Sequence, residues 1–270
     1  MSRPRAAAGR DMACALRAEW TKLRTLPGAG WLALGGIAST VAVSAMVSAA
    51  LSCTSSAGCH PDLTRLSLTG TEAGQAVVAI AAVLAVGGEY GTGMIAATLT
   101  AMPRRVTMLA AKAAVVTGLT LAAGTVAVLG CLLAGRLILP GHGYTPATGY
   151  PDLSLADPVV LRAAAGTVLY LALIALLSLG VATALREPAA AMGAVLGLLY
   201  LFPILGQVAG SPGMARHIEQ AGPMTAGLEI QASTGLNGLP IGPWAGLGVL
   251  AAWAAAALLA GGTLLRRRDA

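Results

Sequence analysis

Few side chains in this chain could do chemistry, and their spacing argues against most of it. The 270 residues hold three His (His60, His142, His217), four Cys and two Lys (Lys22, Lys112). No His is followed or preceded by a Glu at the H-E-x-x-H spacing that a zinc protease needs to place two imidazoles on one helix face. All three His fall between apolar runs, so no Ser–His pair assembles inside one of them. Nucleotide hydrolysis of the P-loop kind needs a Gly-rich loop ending in Lys, and neither Lys follows one. The chain therefore reads as a non-enzyme with no cofactor of its own.

Cys53 and Cys59 stand six residues apart beside His60. They are read as a disulfide or as two thiols, and His60 raises a metal site as the third option. Cys14 reads as an interface residue and Cys131 as a core residue. Ser39, Ser44, Ser48 and Ser178 lie in apolar runs, where hydroxyls bond backbone or pack between helices.

The elements that would position these groups follow from composition. Hydrophobic residues make up 56% of the chain and charged residues 10%, and the mean hydropathy is +0.76. Ordinary globular domains carry about 25% charged residues. A soluble protein cannot cover its surface with so few charges, and disorder requires low hydrophobicity. The composition gives an all-α, polytopic membrane protein. Apolar runs of near-spanning length, with Glu72 at the edge of the second and Lys112 inside the third, occur at about 31–51, 71–88, 106–133, 163–185, 188–209 and 244–265, which predicts six transmembrane helices.

The net charge of +6 is distributed unevenly. With the N-terminus inside, 13 of the 17 basic residues fall on the inner side, so both termini are expected in the cytoplasm of a multi-pass plasma-membrane protein. This asymmetry accounts for the basic balance without nucleic acid as a partner. Residues 1–30 form a cytoplasmic N-terminal segment, and 31–270 the membrane domain. The outer loops 52–70, 136–162 and 210–243 are rich in Gly, Pro, Ser and Thr, and the middle one reads as irregular.

Before the first span, residues 10–26 fit an amphipathic helix lying in the membrane interface. Met12, Leu16, Trp20, Leu23 and Leu26 form its apolar stripe, and Arg10, Arg17 and Arg24 its basic side. Pro27-Gly28 is expected to break it before Trp31, which with Trp244 reads as an interfacial anchor. Glu19 falls inside the apolar stripe, where a carboxylate is costly unless paired. Lys22, three residues on, can reach it, and an Arg from another element is the other candidate. Lys112, two turns into the third span, is expected to snorkel to the interface. Gly193 and Gly197 form a GxxxG pair in the fifth span.

The loop between the second and third spans is the most patterned inner segment. Glu89-Tyr90-Gly91-Thr92-Gly93 leads into 94–102, a short helix stopped by Pro103, with Arg104 and Arg105 at its C-terminal end. This segment, the run Leu16-Arg17-Ala18-Glu19-Trp20-Thr21-Lys22-Leu23-Arg24-Thr25, Ala111-Lys112 and the Arg266-Arg267-Arg268 tail together resemble actinobacterial ABC-2 type transporter permeases. The resemblance implies a six-helix transmembrane domain with an N-terminal elbow helix. It also implies that 89–105 is a coupling loop docking on a separate ABC ATPase subunit, which would carry ATP and Mg. Glu89, Tyr90, Thr92, Arg104 and Arg105 would be the coupling residues, with Glu19 and Lys22 pairing in the elbow helix. Two permease subunits would form the path through the lipid bilayer. The implied function is export of an amphiphilic substrate, such as a drug, antibiotic, lipid or peptide. An ion-coupled secondary transporter and a non-transporting membrane scaffold are the other readings.

Overall fold

Proline opens most of the long helices of this chain, because its fixed φ suits the first helical turn and its missing N–H is unpaired there in any case. The computed structural model describes residues 12–22, 27–52, 61–91, 105–145, 150 and 153–267, and every regular element among them is helical. In chain order these are α1 (residues 12–22), α2 (Pro27–Ala50), α3 (Leu63–Ser67), α4 (Thr71–Gly91), α5 (Arg105–Ile138), α6 (Pro158–Leu185), α7 (Pro188–Val208), α8 (Pro212–Ala221), α9 (Pro223–Leu228) and α10 (Pro243–Arg267). The side chain of Asp157 caps α6 by accepting from Val159 N at 2.8 Å, and that of Glu187 caps α7 by accepting from Ala189 and Ala190.

Five helices, α2, α5, α6, α7 and α10, are long and apolar enough to cross a membrane. The sixth run, expected at 71–88, forms α4, whose apolar stretch Thr71–Gly87 is shorter than the other five. Three expected boundaries move. The first span begins at Pro27, the first residue of α2, rather than at 31. The third helix runs on to Ile138 and a 3-10 turn at Leu139–His142, past the expected end at 133. The fourth begins at Pro158 rather than 163, because Arg162 sits inside the helix and donates to the Ala232 carbonyl.

α6 is the hub and packs on α10, α5, α4 and α7. Its buried face carries Tyr170, Leu171, Ile174, Leu177 and Leu179. Small residues set the closest approaches. A Cβ on Gly180 would lie 2.5 Å from the Ala257 carbonyl carbon, so α6 and α10 touch backbone to backbone. On α2 the buried stripe is Thr40, Ser44 and Ser48, spaced one helical turn apart. Gly70 and Gly74 press against it, with the Ser44 hydroxyl accepting from Gly70 N at 2.9 Å. Gly193 and Gly197, by contrast, have nothing within 4 Å of where a Cβ would stand.

The segment between α7 and α10, expected as a loop, carries helical turns of its own. From Gly222 to Ala232 the chain is almost wholly buried, as α9 and a following 3-10 turn, Glu229–Gln231. Here Ile230 fills the space over Gly166, and Gly227 lies against the Tyr170 ring. Gln75 on α4 donates to Met224 Sδ at 3.1 Å and accepts from the Tyr170 hydroxyl, so α4, α6 and α9 share one buried polar contact.

Asp62 fastens the segment between α2 and α4 to the segment between α9 and α10. One carboxylate oxygen caps α3 at Arg65 N, 3.1 Å away, and accepts from the Ser233 hydroxyl. The other accepts from the backbone N–H groups of Ser233 and Thr234. Three residues on, Arg65 forms a two-pronged pair with Glu229, both contacts 3.3 Å. Burial pushes the Asp62 carboxyl up, but the donors from Ser233, Arg65 and Thr234 outweigh it and hold the pKa below the ordinary value. At Glu229 burial dominates the attraction of Arg65, and the pKa rises.

Asp62→Asn turns one acceptor oxygen into an NH2 that faces either Arg65 N–H and the Ser233 hydroxyl or, in the flipped amide, the N–H groups of Ser233 and Thr234. A loss of about 1–3 kcal/mol in unfolding free energy is expected. A depressed folded-state pKa stabilises the fold above the unfolded value and loses that contribution as pH falls through the folded one. The wild-type melting temperature in detergent should therefore drop below about pH 4, near the ordinary Asp value, and the drop should be shallower in Asp62→Asn. Parallel curves for the two proteins would contradict the assignment.

Candidate functional site

The amphipathic N-terminal segment is a helix over the described part of its expected range, residues 12–22, and its contacts show how the stripe is used. Ala15 and Glu19, one turn apart, are its buried residues, while Trp20 is 51% exposed. The apolar stripe is thus divided: one edge packs on protein and the Trp20 edge is exposed. Glu19 lies on the protein-facing edge, which explains a carboxylate in an otherwise apolar stripe.

Its partners are two lysines. Glu19 Oε2 lies 2.8 Å from Lys112 Nζ and Oε1 lies 3.0 Å from Lys22 Nζ. Lys112 donates a further bond to the Ala85 carbonyl at 2.9 Å. Lys112 does not snorkel: it is 3% exposed, and Glu19 is 5% exposed. The tertiary partner of Glu19 is therefore a lysine and not an arginine, and the local pair with Lys22 forms beside it. A buried carboxylate between two ammonium groups satisfies what each would lack alone.

The arrangement joins three elements at one point. Glu19 belongs to α1, Ala85 to α4 and Lys112 to α5. Ala85 lies six residues before the end of α4, and Lys112 seven residues after the start of α5. The chain between those two ends is 92–104, the core of the expected coupling loop. The cluster thus grips both stems of that loop and ties them to the amphipathic helix.

Thr92 and Arg104 lie outside the described residues, as do Cys53, Cys59 and His60. Glu89 and Tyr90 fall in the last turn of α4, and Arg105 is the first residue of α5. Cys14 is exposed on α1 and Cys131 is buried. Ser39 and Ser178 donate to the carbonyls of Gly36 and Ile174. Among the described residues no three His, Cys, Asp or Glu are grouped to hold a metal ion. Sequence reasoning missed the role of Lys112, although the signal was present. One uncompensated carboxylate in an apolar stripe and one uncompensated ammonium in an apolar span are more economically explained as partners than separately.

Removing one member of a buried pair leaves the other charge unmatched, at about 3–5 kcal/mol. Glu19→Gln should therefore lower thermal stability in detergent by that order. Glu19→Gln combined with Lys112→Met should recover most of the loss, since no buried ammonium remains. Additive losses in the double variant would show that the two side chains do not interact.

Neither protein-family models nor curated proteins give a match to this chain, so the functional reading stands on residues and geometry.

Proposed function

We propose that the chain is the transmembrane permease subunit of an ATP-driven exporter of the ABC-2 type. α4 serves as a sixth span beside the five long apolar helices, both termini face the cytoplasm, and α1 lies in the inner interface as the elbow helix. A separate P-loop ATPase supplies ATP and Mg chemistry, and a second permease subunit completes the path. The cargo is amphiphilic, and the protein resides in the plasma membrane. The observation that carries the reading is the Glu19–Lys112 pair at 2.8 Å, with Ala85 bonded to the same ammonium. A loop that transmits force must be rooted in elements that move as a unit, and this cluster joins α1 to both roots of 89–105. The motifs around Glu19, Glu89 and Arg104–Arg105, which resemble those of ABC-2 permeases, support the same assignment.

An ion-coupled transporter would also use buried ionisable residues. The position of this pair, beside the ends of α4 and α5 that border the loop, favours coupling to a partner over ion passage.

Mild-detergent purification of the tagged protein from its own host membranes should bring down a P-loop ATPase in stoichiometric amount, with measurable ATP hydrolysis. Absence of any ATPase, after crosslinking as well, would overturn the assignment. Reversing the charges of Arg104 and Arg105 to Glu should leave membrane levels intact while separating ATP hydrolysis from transport. Full transport by that variant would remove these residues from the coupling role.

A further inference from the structure

The two halves of the clamp between α3 and the segment after α9 differ in character. Asp62, half-buried, accepts from the N–H groups of Arg65, Ser233 and Thr234 and from the Ser233 hydroxyl. Glu229 is more deeply buried, at 7% exposed, yet among the described residues its carboxylate accepts only from Arg65, through two contacts of 3.3 Å. The cation is not buried with it, since the Arg65 side chain is 45% exposed. Solvent already reaches the guanidinium, so leaving costs it little, while the carboxylate carries the desolvation cost alone.

Nothing packed around Glu229 brings it a second cation. The turn Glu229–Gln231 lies against α6, α9 and α10. On α6, Arg162 donates to the Ala232 carbonyl at 2.5 Å, Asp157 caps its own helix and the Tyr170 hydroxyl is committed to Gln75. α9 has no ionisable side chain, and those described on α10, Arg266 and Arg267, stand in its last turn. On α8, Glu219 repels Glu229, Arg216 donates to the Leu239 carbonyl and His217 is exposed. A further carboxylate, the exposed Glu72 in the first turn of α4, lies within electrostatic reach of Arg65. Glu229 thus has one cation, while that cation has a second carboxylate to turn to.

The two carboxylates answer acid in opposite ways. At Asp62 the donors outweigh burial, and at Glu229 burial outweighs Arg65. An ionised Glu229 is therefore a cost to the fold, and that cost disappears as pH falls through its raised folded-state value. Asp62 is still ionised there, because its own value is depressed. A buried charge kept at a net cost to the fold marks a candidate for function rather than a staple.

We propose that Glu229 is a proton-binding site that controls Arg65: a proton taken from solvent onto the carboxylate frees the guanidinium to turn to Glu72, while Asp62 stays bonded to Ser233 and Thr234 as a hinge. The proton forms an O–H bond on Glu229, and Arg65 keeps its charge. The turn stays seated, with Ile230 over Gly166, but α3 is then tied to it through Asp62 alone. Such a latch needs neither the ATPase nor the cargo, so it stands or falls apart from the proposed function.

The full chain in nanodiscs is titrated with acid by infrared difference spectroscopy. Hydrogen exchange is followed over the same range, with rates corrected for their intrinsic pH dependence. A protonated-carboxyl band that is lost in Glu229→Gln should appear with a midpoint above the ordinary Glu value of 4.5. Across that midpoint the amides of α3 should exchange about tenfold faster. The amides of Ser233 and Thr234, held by Asp62, should not change. Glu229→Gln should show the fast α3 exchange at every pH without loss of melting temperature near neutral pH, because the amide fills the same space without a charge. Arg65→Gln should move the carboxyl midpoint further up, since the one attraction that lowers it is gone. Should Arg65→Gln fold poorly, the Glu229→Gln readouts decide. A midpoint at or below 4.5, or no band lost in Glu229→Gln, would overturn the proton site. Exchange of α3 that ignores the midpoint, or that still responds to pH in Glu229→Gln, would overturn the latch. A marked loss of melting temperature in Glu229→Gln would also overturn it, by making the pair a structural staple.

Discussion

Burying a carboxylate and an ammonium costs free energy that only their mutual attraction and additional hydrogen bonds can offset. Glu19 and Lys112 meet that condition at 2.8 Å, with Lys22 on the second carboxylate oxygen and the Ala85 carbonyl on the ammonium. The consequence is positional. α1 is held not only by an apolar stripe, which could slide along an interface, but by a charge pair of fixed geometry. That point also fixes where α4 ends and α5 begins relative to α1. A loop strung between such stems inherits a defined origin on both sides, as a docking surface for a moving partner requires.

The rest of the bundle follows from the bilayer as solvent. Lipid provides little hydrophobic drive between helices, so close contact depends on residues small enough to admit it. α6 meets α10 through Gly180 and Gly261, and α2 meets α4 through Thr40, Ser44, Gly70 and Gly74. Elsewhere between α2, α4 and α5 an apolar crevice of about 270 Å³ remains, lined among others by Ile37, Val77, Leu119 and Ala123. At the opposite end, the clamp from Asp62 and Arg65 to Ser233 and Glu229 holds the buried segment of α9 against the bundle. Polar bonding thus concentrates at the two ends, and the middle is packed almost wholly by apolar and small residues.

Much of the architecture was legible in the sequence, because a span announces itself by the length of an apolar run. The ends were less so. Arg136 and Arg162 looked like loop residues, yet both sit within helices that continue beyond the apolar runs, and Arg162 has a backbone carbonyl as its acceptor. The buried segment after Gly222 was hidden by its Gly and Pro content, although Pro212 and Pro223 each stand at a first helical position. The visible GxxxG at Gly193 and Gly197 has no neighbour among the described residues within 4 Å of where a Cβ would stand. The pair that does pack, Gly70 and Gly74, has the same spacing but straddles the start of α4 beside Glu72. Glu19 was conspicuous as a charge in the wrong place, whereas its partner across 93 residues could not be read from periodicity, which reports only neighbours on one helix.

The central claim is that the chain between α4 and α5, rooted at this ion pair, is the docking surface for an ATPase. The most direct measurement is site-specific photocrosslinking from Thr92 and from Arg104 in intact host membranes, with the adduct identified by mass. The account predicts an adduct to a P-loop ATPase from both positions. Adducts to lipid or to unrelated proteins alone would contradict it.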